Sequence, residues 1–226
     1  MSKIGTADIK GIMLGSTEIS KAYLGSDVVF EKENKYIELN AVVFGKAVSV
    51  TLDIAPNANN WFFEGAVARH NNITTSSHTG LFRFIAQKSF NVNNNLFAFN
   101  LYPNDTFNVS IFTKYSAKNA FTIPSTIDSK IVFSAKTGEA TVNGTTQSVA
   151  RAGGTAASNR TLIIGDYYLK QMEVVFWYFR ASQNGVLLRN YVPAQRIEDE
   201  VIGIWDKVTD TFLLPSGGNL VEYTSS

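Results

Sequence analysis

The chain has 226 residues, 45% of them hydrophobic, and twenty Lys plus Arg against nineteen Asp plus Glu leave it near neutral. A chain of this length buries roughly 70% of its surface on folding, so a core forms without staples. With no cysteine there is no disulfide, thiolate metal site or cysteine nucleophile, and scattered basic residues without surplus argue against a nucleic-acid partner.

Near the start, Leu14-Gly15-Ser16 returns ten residues later as Leu24-Gly25-Ser26. The offset is too short for a solenoid unit of about 20 to 50 residues, but it suits one strand plus one turn. Ile12-Met13-Leu14, Ile19 to Leu24 and Val28-Val29-Phe30 read as strands, with Gly-Ser-Thr and Gly-Ser-Asp as the turns between them. Glycine admits positive φ, and Ser, Thr and Asp side chains bond their own backbone, which is what a hairpin turn needs. The opening is therefore expected to be a three-stranded β-meander. A ribbon of that size is marginal alone. Residues 1–34 are accordingly expected to act in attachment or oligomerisation, with Leu14, Tyr23, Leu24 and Phe30 supplying apolar contacts. The alternative is that the ribbon merely edges the larger fold.

After the charged "EKENK" the pattern changes, and residues 35–226 form a second unit. In "AVSVTLDIAP", Val48, Val50, Leu52 and Ile54 alternate with Ser49, Thr51 and Asp53, a half-buried strand closed by Pro56. "GLFRFIAQ", "NLFAFNLYP", "FNVSIFTKY", "SKIVFSAKTGEATVNGT" and "RTLIIGDYYLKQMEVVFWYFRA" follow, rich in β-branched and aromatic residues and bounded by turn formers. No helical period is sustained, so the fold is expected to be all-β, an antiparallel sandwich in preference to a barrel. The longest apolar run, Val174 to Phe179, is far short of a membrane span, and no signal peptide opens the chain, so it is expected to be made soluble in a cytoplasm without membrane insertion. On that reading the sequons at Asn72, Asn104, Asn108, Asn143 and Asn159 are surface polarity.

The segment "VFWYFRASQNGVLLRNYVPAQRIEDEVIGIWDKVTDTFLLPSGGNLVEY", residues 175–223, resembles the closing part of the concanavalin A-like, laminin-G-like sandwich domains of bacteriophage virion proteins and bacterial surface proteins. The matching positions are Asn184-Gly185, Leu188, Pro193, Arg196, Gly203, Asp206, Phe212 and Gly217-Gly218. "ATVNGTTQSV" and "TLIIGD" resemble that family's middle strands. One departure is "IEDEVIG", where a glycine usually follows the Asp, which suggests a less tight turn at Glu200. The opening "IMLGSTEISKAYLGSDVVFEK" resembles short modules that phage structural proteins carry before such a sandwich. The resemblance implies a concanavalin A-like jelly roll over 35–226 and a structural virion protein, of fibre or decoration type, made in the host cytoplasm. Its implied partners are other virion proteins and further copies of itself, with a trimer suggested by phage fibres.

Such sandwiches also include glycosidases, which need two carboxylates about 5 to 9.5 Å apart across the scissile bond. Glu198, Asp199 and Glu200 are the one dense carboxylate cluster, and they read as a solvated connecting loop. His70 and His78 flank a polar loop at a spacing that does not suit zinc, and no G-x-S-x-G elbow or P-loop occurs. "ARAGGTAAS" reads as a loop, and calcium at Asp166 or Asp206 lacks a ligand spacing to mark it. The chain is thus expected to be no enzyme and to carry no metal or cofactor. The alternative function is a glycan-binding adhesin meeting a host surface glycan. Trp61, Asn94, Asp166 and Tyr167 are its candidate contacts, because sugars take aromatic faces plus amide or carboxylate partners. Trp61 has a competing reading as core and the Asn93–Asn95 run one as a turn.

Overall fold

The computed structural model describes residues 3–4, 7–8, 12–14, 17–19, 21–24, 27–31, 34–56, 60–71, 82–87, 96–102, 106–113, 119–136, 138–149, 161–165 and 172–225. Among these, every regular element is a strand and every pairing of strands is antiparallel.

The opening corrects the expected meander. Strands β1 (Lys3–Ile4) and β2 (Ala7–Asp8) pair as one hairpin, β3 (Ile12–Leu14) and β4 (Thr17–Ile19) as a second, and β5 (Lys21–Leu24) and β6 (Asp27–Glu31) as a third. The stretch Ile19 to Leu24 is not one strand, because Ile19 pairs back to Ile12 whereas Ala22 pairs forward to Phe30. Each arm belongs to its own hairpin. The innermost pairs, Ile4↔Ala7, Leu14↔Thr17 and Leu24↔Asp27, recur every ten residues, each bracketing a Gly-Thr or Gly-Ser dipeptide. The repeat is therefore threefold, beginning at Ile4-Gly5-Thr6. Among the described residues these six strands pair with no strand outside their own hairpin.

From Tyr36 onward two sheets form. The larger has eleven described strands, beginning with β7 (Tyr36–Glu38), β8 (Val42–Phe44) and the long β10 (Trp61–Arg69). Next come β15 (Ile131–Lys136), β16 (Glu139–Val142) and β17 (Thr145–Ser148). It ends with β19 (Val174–Gln183), β20 (Val186–Arg196), β21 (Ile202–Asp206), β22 (Thr211–Leu213) and β23 (Val221–Glu222). The smaller has six, ordered β14-β13-β12-β11-β18-β9. These are β9 (Val50–Thr51), β11 (Phe82–Gln87), β12 (Leu96–Tyr102), β13 (Thr106–Thr113), β14 (Asn119–Thr122) and β18 (Leu162–Ile164).

Two Asn-Gly dipeptides set the register of the large sheet. Val142 pairs with Thr145 around Asn143 (φ 46°) and Gly144 (φ 80°), and Gln183 pairs with Val186 around Asn184 (φ 51°) and Gly185 (φ 78°). Positive φ at both central residues is the type I′ turn whose twist matches the strands it joins. Between β20 and β21, Glu200 holds a φ of 59°. The turn thus keeps the left-handed geometry that glycine would favour, so the expected loosening does not occur there.

The two sheets share one sandwich-like core. Phe99 and Phe107 of the small sheet meet Phe133 of the large one at 4.5 and 5.4 Å between ring centroids. Trp61, Phe63, Phe179 and Tyr191 stack as a ladder across β10, β19 and β20, with interplanar angles of 10°, 4° and 7°. Buried apolar side chains of this size each contribute about 1.5 to 3 kcal/mol. Val48, Val50, Leu52 and Ile54 are buried as their alternation predicts, although only Val50–Thr51 counts as strand. The partner strand is short, and backbone bonds from Leu52 to Leu162 and from Leu162 to Ile54 extend the pairing beyond it. At Gly65, in mid-β10, a Cβ would lie 2.6 Å from the ring of its cross-strand partner Phe133 in β15, so the residue is where a phenyl of the neighbouring strand lies over the backbone.

Candidate functional site

Strands in register place side chains in rows, because cross-strand partners share a face. Thr146, Thr141, Ser134, Glu64, Arg180 and Asn190 are successive partners across β17, β16, β15, β10, β19 and β20. They form one polar row. Its centre is tied by Arg180, which donates to Glu64 Oε1 at 3.0 Å and to Asn190 Oδ1 at 3.1 Å. Arg180 and Glu64 keep 44% and 33% of their side-chain surface in solvent, so the groups are held but accessible.

Rows that carry aromatic and aliphatic side chains flank this one. On one side Lys136, Phe62, Ser182 and Leu187 are in register, with Phe62 39% and Leu187 43% exposed. On the other are Val132, Ala66 and Tyr178, and the Arg180 guanidinium lies 5.0 Å from the centre of the Tyr178 ring. Partial burial first, and the Glu64 carboxylate second, hold the Tyr178 hydroxyl above its ordinary range. It stays a neutral donor at any ordinary pH. The outer face of the large sheet therefore offers aromatic surface beside preoriented donors and acceptors, chemistry that suits a polar ligand with apolar faces.

The residues singled out from sequence lie elsewhere. Trp61 is 6% exposed and stacked on Phe63, so its ring belongs to the core and is not offered as a platform. Asn94, Asp166, Tyr167 and His78 lie outside the described residues. Leu14, Tyr23, Leu24 and Phe30 fall in strands of the hairpin array. Glu198 to Glu200 are exposed in the turn after β20, where Arg196 clasps Asp199 at 2.9 and 2.6 Å. His70 Nδ1 bonds Asp128 Oδ1 at 2.8 Å.

Asp206 is fully buried, and its oxygens are occupied by the chain itself. Its carboxylate accepts from Asn190 N (2.9 Å), Val208 N (3.1 Å) and Thr209 Oγ1 (2.7 Å), and pairs with Arg189 Nε at 3.2 Å. Arg189 also meets Asp53 at 3.2 Å, and Tyr191 donates to Asp53 at 2.6 Å. With its acceptor positions filled by protein donors, Asp206 acts as a staple holding the β21–β22 turn, and this arrangement does not suit a calcium ligand.

Sequence reading missed Phe62, Glu64, Tyr178, Arg180 and Asn190. A signal existed in "WFFEG", where Phe62 and Glu64 alternate with the core set, but in "FWYFRA" the core residues Phe176 and Phe179 stand three apart across a bulge, so alternation did not mark Tyr178 and Arg180 as outward. Their convergence depends on register across several strands. No family model, curated protein or solved structure matches the chain.

Proposed function

We propose that this chain is a structural and attachment protein of a bacteriophage virion, whose N-terminal hairpins serve assembly and whose concanavalin A-like sandwich is displayed. The observation that carries this is the array of three hairpins in one register, ten residues apart, pairing with no other described strand. Two-stranded hairpins this short do not hold in water alone, so the array calls for a surface to lie on. Other copies of the chain, in a trimer, or neighbouring virion proteins supply it. The placement on a virion rests on the sequence resemblance.

Sedimentation of the full chain against a chain starting at Lys35 tests this. The full chain is expected to sediment as an oligomer and the shortened one as a folded monomer, with Leu24→Asp weakening association. A full chain monomeric at every concentration, and absent by mass spectrometry from purified particles, would sink the reading. Assays on β-glucans and host surface polysaccharides are expected to show no turnover.

A second reading, a glycan-binding adhesin, is favoured by the open row of Glu64, Arg180 and Asn190 between aromatic flanks. Glycan-array binding abolished by Phe62→Ala or Arg180→Ala would favour it over a purely architectural role.

A further inference from the structure

Strand β19 carries one residue more than its neighbour β10. Ala66 pairs with Tyr178 and Val67 with Phe176, so Trp177 is the extra residue of a β-bulge. Strict alternation would send one of any two adjacent side chains to each face of the sheet. Here Phe176 and Phe179 both belong to the main core, while Trp177 packs outside it, on Ala41, Ala68 and Val175. Ala68 and Val175 are cross-strand partners on the Glu64 face, and Tyr178 stands in the row next to Glu64 and Arg180. The bulge therefore sets two adjacent rings, Trp177 and Tyr178, on the outer face of the large sheet. Both stay partly exposed, and the Tyr223 ring meets the indole edge-on at 5.9 Å.

Among the described residues, four cations stand over aromatic rings of this sheet. Lys130 lies 5.0 Å from the centre of the Trp177 ring, Arg180 5.0 Å from Tyr178, Arg196 5.4 Å from Phe212 and Lys207 5.6 Å from Trp205. Three of them are also paired with a carboxylate: Arg180 with Glu64 at 3.0 Å, Arg196 with Asp199 at 2.6 Å and Lys207 with Glu38 at 2.7 Å. Lys130 is the exception. It is exposed and makes no ion pair among the described residues. Asp128, two residues before it, is taken by His70 Nδ1 at 2.8 Å and by the Tyr223 hydroxyl. A lysine ammonium on its flexible stem can leave a ring face for a ligand at little cost. The indole thus offers an apolar surface beside a positive charge that the chain does not neutralise.

We infer that Trp177 and Lys130 bind a carboxylate-bearing sugar ring, a uronic acid unit of a glycan. The C–H face of the sugar lies on the indole, and its carboxylate takes the Lys130 ammonium in a charge-assisted bond. This names the class of glycan for the adhesin reading of the sheet face, and it rests on that reading. A neutral sugar keeps the stacking but leaves the ammonium without a partner. An amino sugar meets a like charge. An acidic peptide side chain reaches the ammonium but brings no ring face for the indole to cover.

The test is ligand-observed NMR and tryptophan-fluorescence titration of the full chain with two matched pairs, glucuronate with glucose and galacturonate with galactose, and with glucosamine and N-acetylglutamate. Each uronate is expected to bind saturably, about tenfold more tightly than its neutral parent, and to weaken as salt is raised. Lys130→Gln removes that advantage and Lys130→Arg keeps it; both change an exposed side chain and leave the core alone. Trp177→Phe lowers uronate affinity and removes the fluorescence change. Lys207→Gln, which takes the same charge from above Trp205, leaves uronate binding as in the parent. No saturable uronate binding, equal binding of a neutral parent, of glucosamine or of N-acetylglutamate, or a Lys130→Gln variant that binds uronates like the parent would each overturn the inference. Neutral-glycan binding that is lost in Arg180→Ala and untouched by Lys130→Gln would overturn it while the adhesin reading stands.

Discussion

Arg180 and Arg189 stand on the two arms of one hairpin, one position apart in register, and they face opposite ways. Arg180 spans an exposed row to Glu64 and Asn190. Arg189 sits among Asp53, the fully buried Asp206 and Tyr191, in a network that joins β20 and β21 to the segment after β9. The two ion pairs have similar distances, 3.0 and 3.2 Å, so geometry alone does not rank them. Water does. An exposed pair gains about 0 to 1 kcal/mol, because solvent competes for both partners. Breaking a buried pair leaves an uncompensated charge and costs about 3 to 5 kcal/mol. The inner arginine therefore belongs to the fold, whereas the outer one can exchange its partners for a ligand at little cost.

The largest effect that would sharpen this contrast is expected from Asp206→Ala. It removes the acceptor for Asn190 N, Val208 N and Thr209 at once and strips one partner from Arg189, so a loss of about 3 kcal/mol or more is expected in denaturant unfolding. A loss below about 1 kcal/mol would erase the distinction between the two faces.

Next comes Tyr191→Phe, which deletes the bond to the Asp53 carboxylate and is expected to cost about 1.5 to 3 kcal/mol near neutral pH. Burial first, and the Asp53 bond second, push the Tyr191 hydroxyl far above its ordinary range. A folded-state value raised above the unfolded one, about 10, means this contribution is complete below that pH. It then declines as pH rises, because the unfolded chain sheds a proton that the folded chain keeps. The parent is therefore expected to lose stability above about pH 10, and Tyr191→Phe to remove one proton's worth of that slope, about 1.4 kcal/mol per pH unit. Parallel urea titrations at neutral and alkaline pH would reveal it. An unchanged alkaline slope in the variant would place that hydroxyl in water.

The smallest effect is expected from Arg180→Ala, a change of within about 1 kcal/mol in the same unfolding measurement. A loss comparable to that of Asp206→Ala would show that the outer row also holds the sheet together.

Much of the strand content was legible because period-two patterning is local: Val48, Val50, Leu52 and Ile54 point inward as their spacing required. The Asn-Gly turns were equally legible, since their chemistry resides in two adjacent residues. The hairpin array was half read. Its first member carries Gly-Thr where the others carry Gly-Ser, and the run Ile19 to Leu24 hides a change of partner between Ile19 and Lys21. The inner network was not legible, because Asp53 lies 136 residues from Arg189 and 138 from Tyr191 and meets them only through the way the two sheets stack. The sheet face was hidden for the same reason. It gathers ordinary residues from distant strands, and none carries a local signature.

The ten-residue spacing of the hairpins has an evolutionary consequence. Each closing pair brackets its own dipeptide in the sequence, and among the described residues no hairpin pairs with the next. Duplication or deletion of a whole decapeptide would lengthen or shorten the array by one unit without shifting a single remaining pair. Such a segment can gain or lose whole units in discrete steps, while the pairings of the two sheets that follow it stay as they are.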